Sequence, residues 1–152
     1  MMQIQQEQFD VINASKMRVG IVTARFNREI TDGLLESALS MLAKSKVKSE
    51  NIQTVSVAGS VEIAFALQKL ARMKKYDCLV ALGCVIRGET PHFEYVCKMA
   101  QEGVLRVMLD HQIPIGFGII TTNSLEQAQA RMHVGGEAVR AALELVKLEE
   151  NI

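Results

Sequence analysis

The stretch from Gly83 to Val96, GCVIRGETPHFEYV, gathers the residue types that hold an anion and move a proton. An apolar, strand-like run from Cys78 ends at Gly83, and helical spacing begins near Pro91. Between them lie Arg87, Gly88, Glu89 and Thr90, with His92 just inside the helix. Gly88 lets the backbone come close to a ligand, Thr90 adds a hydroxyl, and the free N–H groups of a helix start attract negative charge. Glu89 opposes an anion there unless its side chain turns away. The same pattern also describes a plain capped helix behind a glycine turn, because helix-start attraction is general. At His92 the positive helix end disfavours imidazolium and a bound phosphate favours it, a balance that suits a proton carrier. A surface or packed histidine is the competing reading.

Other residues have both a chemical and a plain reading. Glu62 follows a Gly59-Ser60 turn; it is either an orienting carboxylate or a charge favouring a helix start. Phe26 follows a strand and can stack on a planar ligand, although core packing is the commoner fate of a phenylalanine. Arg131 in the last helix can bind phosphate or simply be solvated. Cys84 with His92 as base would make a thiolate nucleophile; no Asn or Asp partner is evident from spacing. His111 and His133 have weaker claims, one in the loop before the fourth strand and one beside a glycine pair.

Positioning these residues takes alternating elements. Residues 1–16 read as an N-terminal arm with an extended piece from Phe9 to Ile12, and 17–152 as one domain. The expected strands are Met17–Thr23, Ile52–Val57, Cys78–Gly83 and Pro114–Thr121. Helical spacing fills Asn27–Ala43, Val61–Met73 and Pro91–Asp110. Ser124 with Gln127 forms a capping-box pattern for a last helix to about Leu148, interrupted at Gly135-Gly136. The βαβαβαβα order with continuous apolar strands implies a four-stranded parallel sheet with helices on both faces, a three-layer α/β/α sandwich. Ligands of such sheets bind beyond the carboxyl ends of the strands. Those ends are the loops at Ala24–Asn27, Ala58–Glu62, Cys84–His92 and Thr121–Asn123.

Composition excludes several classes. Lys plus Arg and Asp plus Glu are 17 each, so overall charge gives no support to nucleic-acid capture. Apolar runs are far short of the ~20 residues of a membrane span. Met1 to Gln8 lacks an apolar signal core. The three cysteines, Cys78, Cys84 and Cys97, form no CxxC pair, which fits a reducing cytoplasm and argues against a zinc site. Thr23-Ala24-Arg25-Phe26-Asn27 stands where a GxGxxG would bind a dinucleotide, and no GxxxxGK[ST] occurs. An Asp ending the third strand, as a phospho-acceptor domain needs, is missing.

Taken in order and with their spacing, four segments resemble the 6,7-dimethyl-8-ribityllumazine synthase family of riboflavin biosynthesis. They are Ala24–Asn27, Val57–Ile63, Leu82–Val96 and Phe117–Thr122, within a similarity running from about Val19 to Leu148. The resemblance implies a flavodoxin-like fold and a transferase that needs no metal or organic cofactor. That enzyme condenses 5-amino-6-ribitylaminouracil with 3,4-dihydroxy-2-butanone 4-phosphate. It implies roles by position: Phe26 stacking on the pyrimidine, Ser60, Val61 and Glu62 on its ribityl side, and backbone contacts from Cys84, Val85 and Ile86. Glu89 and Thr90 would hold the phosphate, His92 would shuttle protons, and Phe117 and Arg131 would come from a neighbouring subunit, Arg131 onto the phosphate. It also implies small-molecule substrates and self-association into pentamers or their multiples, with the arm pairing onto a neighbour. The chain departs from the family where Ala58 and Ala64 replace prolines, and where Met132–Glu137 is shorter than the usual Gly/Lys-rich stretch. A non-catalytic paralogue that binds ribityl-pyrimidines or flavins is the alternative.

Overall fold

The computed structural model describes residues 11–152. Four strands, β1 (Val19–Ala24), β2 (Ile52–Val57), β3 (Cys78–Ile86) and β4 (Ile115–Thr122), form one parallel sheet in the order β2-β1-β3-β4. The helices are α1 (Arg28–Lys44), α2 (Ile63–Arg72), α3 (His92–Asp110), α4 (Leu125–Gln129) and α5 (Val134–Glu150). The expected edge strand at Phe9–Ile12 begins outside the described residues.

The two central strands are apolar but for Thr23, because both their faces are covered. Val19 and Ile21 of β1, with Cys78, Val80, Leu82 and Cys84 of β3, enter one core beneath α1 and α5. The alternate residues Val22 and Ala24, with Leu79, Ala81 and Val85, enter a second core beneath α2 and α3. This is the period of two that a pleated strand imposes, hidden in the sequence because both sets are hydrophobic. Emptying either core by a Leu→Ala change at Leu82 or Leu67 would cost about 2–5 kcal/mol. Ala14, inside the segment read as the arm, is also buried in the first core, and its N–H donates to the Ser45 carbonyl at 2.8 Å.

Two expectations are corrected. The third strand does not stop at Gly83. It runs on through Cys84, Val85 and Ile86, which pair with Ile120, Thr121 and Thr122 of β4. β-branched residues opposite an available edge extend the ladder. The last helix breaks earlier than Gly135-Gly136. α4 ends at Gln129, residues 130–133 form a turn, and the glycine pair lies inside the first turn of α5.

That pair serves close packing instead. A Cβ at Gly135 would run into the Leu34 carbonyl of α1, and one at Gly136 would stand 3.1 Å from Ser37 Oγ. The Gly136 N–H donates to Ser37 Oγ at 2.9 Å, and Ser37 Oγ donates to the His133 carbonyl at 3.3 Å. A second close approach sets α5 on the sheet, where a Cβ on Gly116 would strike the Ala138 carbonyl. In an open helix Gly→Ala stabilises by up to about 1 kcal/mol. At Gly135 the sign should reverse, to a loss of about 1–3 kcal/mol, since backbone must move. Urea unfolding of Gly135→Ala checks this; an unchanged or higher midpoint would refute the contact.

Candidate active site

The strand order reverses between β1 and β3: the chain leaves β1 for β2 on one side and later passes to β4 on the other. A crevice opens beyond the carboxyl ends at such a switch point. Here it is a cavity of about 360 Å³, lined by Phe26, Gly59, Ser60, Val61, Glu62, Cys84, Val85, Ile86, His92 and Val96.

Three strand ends hold the aromatic wall. The Arg25 N–H donates to the Val57 carbonyl at 2.8 Å, and the Phe26 N–H to the Ala58 carbonyl at 3.0 Å. Asn27 then adopts a left-handed φ of 60°, which asparagine tolerates better than most residues. Its Nδ2 donates to the Cys84 carbonyl at 2.9 Å. The loop after β1 is thereby tied to β2 on one side and β3 on the other. Phe26 is 70% exposed, so its ring is a free wall and not a core residue.

The floor depends on a missing side chain. A Cβ on Gly83 would stand 2.6 Å from Ser60 Oγ and 3.1 Å from Ile63 Cδ1. Glycine there lets the one-turn 3-10 helix Ser60–Glu62 settle onto β3 with Ser60 buried. The Glu62 N–H closes that turn on the Gly59 carbonyl at 3.1 Å.

α3 brings the remaining wall. Pro91 occupies its N-cap position, as suits a residue without an N–H, and His92 is the first helical residue. The His92 N–H donates to Thr90 Oγ1 at 3.4 Å, and no described residue but its chain neighbours lies within 4 Å of where a Gly88 Cβ would stand. The backbone of this loop is therefore open to a ligand. Glu89 and Thr90 belong to the loop, not to the cavity lining.

Phe117 and Arg131 lie elsewhere in the chain. Phe117 sits on the outer edge strand β4, 45% exposed, in a groove of about 340 Å³ with Leu105, Met108 and Ile115 among its walls. Arg131 lies in the turn between α4 and α5, not in a helix, and its Nη1 donates to the Gln127 carbonyl at 2.8 Å. Among the described residues no group of three or more His, Cys, Asp or Glu is arranged to hold a metal ion. No helix among them is long and apolar enough to cross a membrane.

The family profile described as 6,7-dimethyl-8-ribityllumazine synthase matches residues 16–150. The chain belongs to the 6,7-dimethyl-8-ribityllumazine synthase family. It is 46% identical over 142 residues to the enzyme of that name from Nitrosospira multiformis, covering 93% of this chain and 89% of that one. It is 44% identical to the one from Polaromonas sp. over 144 residues, 94% of each chain. Identity to the one from Parabacteroides distasonis is 41% over 140 residues, 91% of this chain and 88% of that one. Within the family's fold, Asn27, Gly59, Gly83 and Val96 are the residues that sequence reasoning left out of the site. An asparagine between a strand and a helix was the one visible signal, through its tolerance of the left-handed region.

The thiolate reading of Cys84 is overturned. Its side chain is buried in the first core, and burial pushes the thiol from 9.0 up to about 11. At about pH 8 its thiolate fraction is then roughly a hundredfold below that of an unfolded-chain cysteine. Iodoacetamide labelling read by mass spectrometry should find Cys84 slow at that pH, its rate rising about tenfold per pH unit until about 11. Labelling of native Cys84 as fast as in urea would contradict this assignment.

Proposed function

We propose that the chain condenses 5-amino-6-ribitylaminouracil with 3,4-dihydroxy-2-butanone 4-phosphate to 6,7-dimethyl-8-ribityllumazine, a transferase step of riboflavin biosynthesis. The observation that carries this reading is a single cavity at the switch point, walled by Phe26, the Ser60–Glu62 turn, the end of β3 and His92, in a chain of this family. Phe26 is the stacking wall for the pyrimidine. The edge of β3 at Cys84–Ile86 offers backbone groups to the ring, and Ser60, Val61 and Glu62 take the ribityl side. Phe117 and Arg131 are supplied by a neighbouring subunit.

The chemistry needs proton transfer beside a departing anion. The pyrimidine's free amine adds to the ketone, and water leaves to give an imine. A proton is then lost from the carbon next to the imine as phosphate leaves the carbon beyond it. The resulting enol becomes a ketone, the ribityl-bearing nitrogen adds to it, and a second water leaves as the ring closes. Each dehydration needs a group that gives a proton to the departing hydroxyl and takes one from the attacking nitrogen. His92 is the cavity-lining residue suited to both. The start of α3, with Glu89 and Thr90 leading into it, receives the phosphate through N–H groups and a hydroxyl; Arg131 adds charge-assisted hydrogen bonds.

A neighbour is needed for that arrangement, and the surface supports one. Tyr95, Met99, Leu105 and Leu109 of α3 are exposed, and Leu105 is also a wall of the Phe117 groove. Pentamers or multiples of pentamers would cover them, with a site at each subunit boundary. The unpaired cysteines support a reducing, cytoplasmic setting.

Purified protein with both substrates should give fluorescent lumazine at neutral pH; binding of the pyrimidine by calorimetry without any product would overturn the catalytic reading. His92→Ala should slow turnover by about a hundredfold or more. Arg131→Ala should raise the KM for the butanone phosphate about tenfold or more and leave the pyrimidine KM nearly unchanged. Light scattering should report a pentamer's mass or a multiple of it; a monomer with full activity would contradict the shared site.

A further inference from the structure

We infer that Arg87 is a positioning residue that holds the first turn of α3, and with it His92, at the mouth of the cavity. This rests on the reading of His92 as the proton carrier. The segment that delivers α3 cannot hold it unaided. Residues 87–91 are all exposed, and no described residue but its chain neighbours lies within 4 Å of where a Gly88 Cβ would stand. A loop with so little packing leaves the start of the following helix free to shift.

Arg87 supplies the missing ties. The β3–β4 ladder continues one step past Ile86, with the Arg87 N–H donating to the Thr122 carbonyl at 2.8 Å. The side chain then reaches two other elements. Its Nε donates to Asn123 Oδ1 at 2.9 Å, beyond the end of β4. Its guanidinium lies 4.5 Å from the centroid of the Phe93 ring, and its Nη1 is 3.8 Å from Glu94 Oε1. Phe93 directly follows His92 and packs against the second core. One side chain thus links the ends of β3 and β4 to the residues on the far side of the histidine.

The anchor is itself fixed. The Asn123 N–H donates to Gln127 Oε1 at 2.8 Å, and Ser124 Oγ accepts from the Gln127 N–H at 3.2 Å, capping α4. The pair with Glu94 is long and exposed and contributes little. The hydrogen bond to Asn123 and the contact over the Phe93 ring carry the geometry, and a planar guanidinium makes both at once in a fixed orientation. Lysine offers a charge without that fork or face, so charge alone should not substitute.

The test uses the full chain with Arg87→Lys, Arg87→Gln, Asn123→Ala and the double variant Arg87→Gln/Asn123→Ala. Each substrate is varied in turn in the lumazine assay, with thermal melts in parallel. Each single variant should lose about tenfold in kcat, as a small misplacement of a reacting group does. The KM for the pyrimidine should stay within about twofold, because its pocket is built on β1, β2 and β3. The double variant should be no worse than Arg87→Gln alone, since Asn123 acts only through the Arg87 side chain. Full kcat in Arg87→Lys, additive losses in the double variant, or a loss confined to pyrimidine KM would each overturn the inference. Should Arg87→Gln not fold, Asn123→Ala decides, because it removes the acceptor and leaves β3 intact. A wild type that makes no lumazine overturns the catalytic reading and this inference with it. A wild type that turns over beside unchanged variants overturns this inference alone.

Discussion

Parallel pairing of β1 with β3 sets where everything else can stand. Val19 lies opposite Cys78 and Thr23 opposite Leu82, so the two strands start level and both point toward one edge. β2 and β4 then add on opposite sides. β3 runs past the end of β1 by the residues that become the backbone wall of the cavity, and β4 follows it. The crevice is therefore a step in the sheet, with the long strands as its back and the loops after β1 and β2 as its front. The back wall would not exist if β3 stopped where β1 stops.

Across that step the front is joined to the back by a few directed contacts. Asn27 Nδ2 bridges to the Cys84 carbonyl, and Gly83 admits Ser60. On the other flank Arg87 reaches from β3 to Asn123 and to the first turn of α3. The site is thus held from two sides by polar contacts at the sheet edge, while the apolar cores below supply stability without specifying its shape. The division is the usual one: packing fixes the scaffold, and oriented hydrogen bonds fix the functional groups.

The fold was legible because alternation of strands and helices is a strong pattern, and β2 fell on the residues where β-branched spacing put it. The loops carrying Phe26, Ser60 and His92 were legible as strand ends. What could not be read depends on partners distant in sequence. The extension of β3 needs β4 beside it. The break at residues 130–133 depends on α5 seating its glycines against Leu34 and Ser37, and on Met132 filling the space beside Gly33. Glycine in a helix reads as a breaker from sequence alone, since its missing Cβ is informative only once the facing backbone is known. The contacts of Asn27 and Gly83 are hidden for the same reason: each acts through a residue more than twenty positions away in the chain.

Ala58 stands where the family resemblance has a proline. A proline at position 58 would restrict the unfolded chain, worth about 0.4–1 kcal/mol of stability. It would add no contact of its own to the site. Placement of the loop after β2 comes from bonds that Ala58 keeps: its carbonyl accepts from the Phe26 N–H, the Val57 carbonyl accepts from the Arg25 N–H, and Gly59 accepts from Glu62. The acceptors are backbone carbonyls, which alanine and proline possess equally. Those native contacts hold the loop without the proline. Ala58 leaves the geometry around Ser60 intact and bears instead on how much freedom the chain gives up on folding.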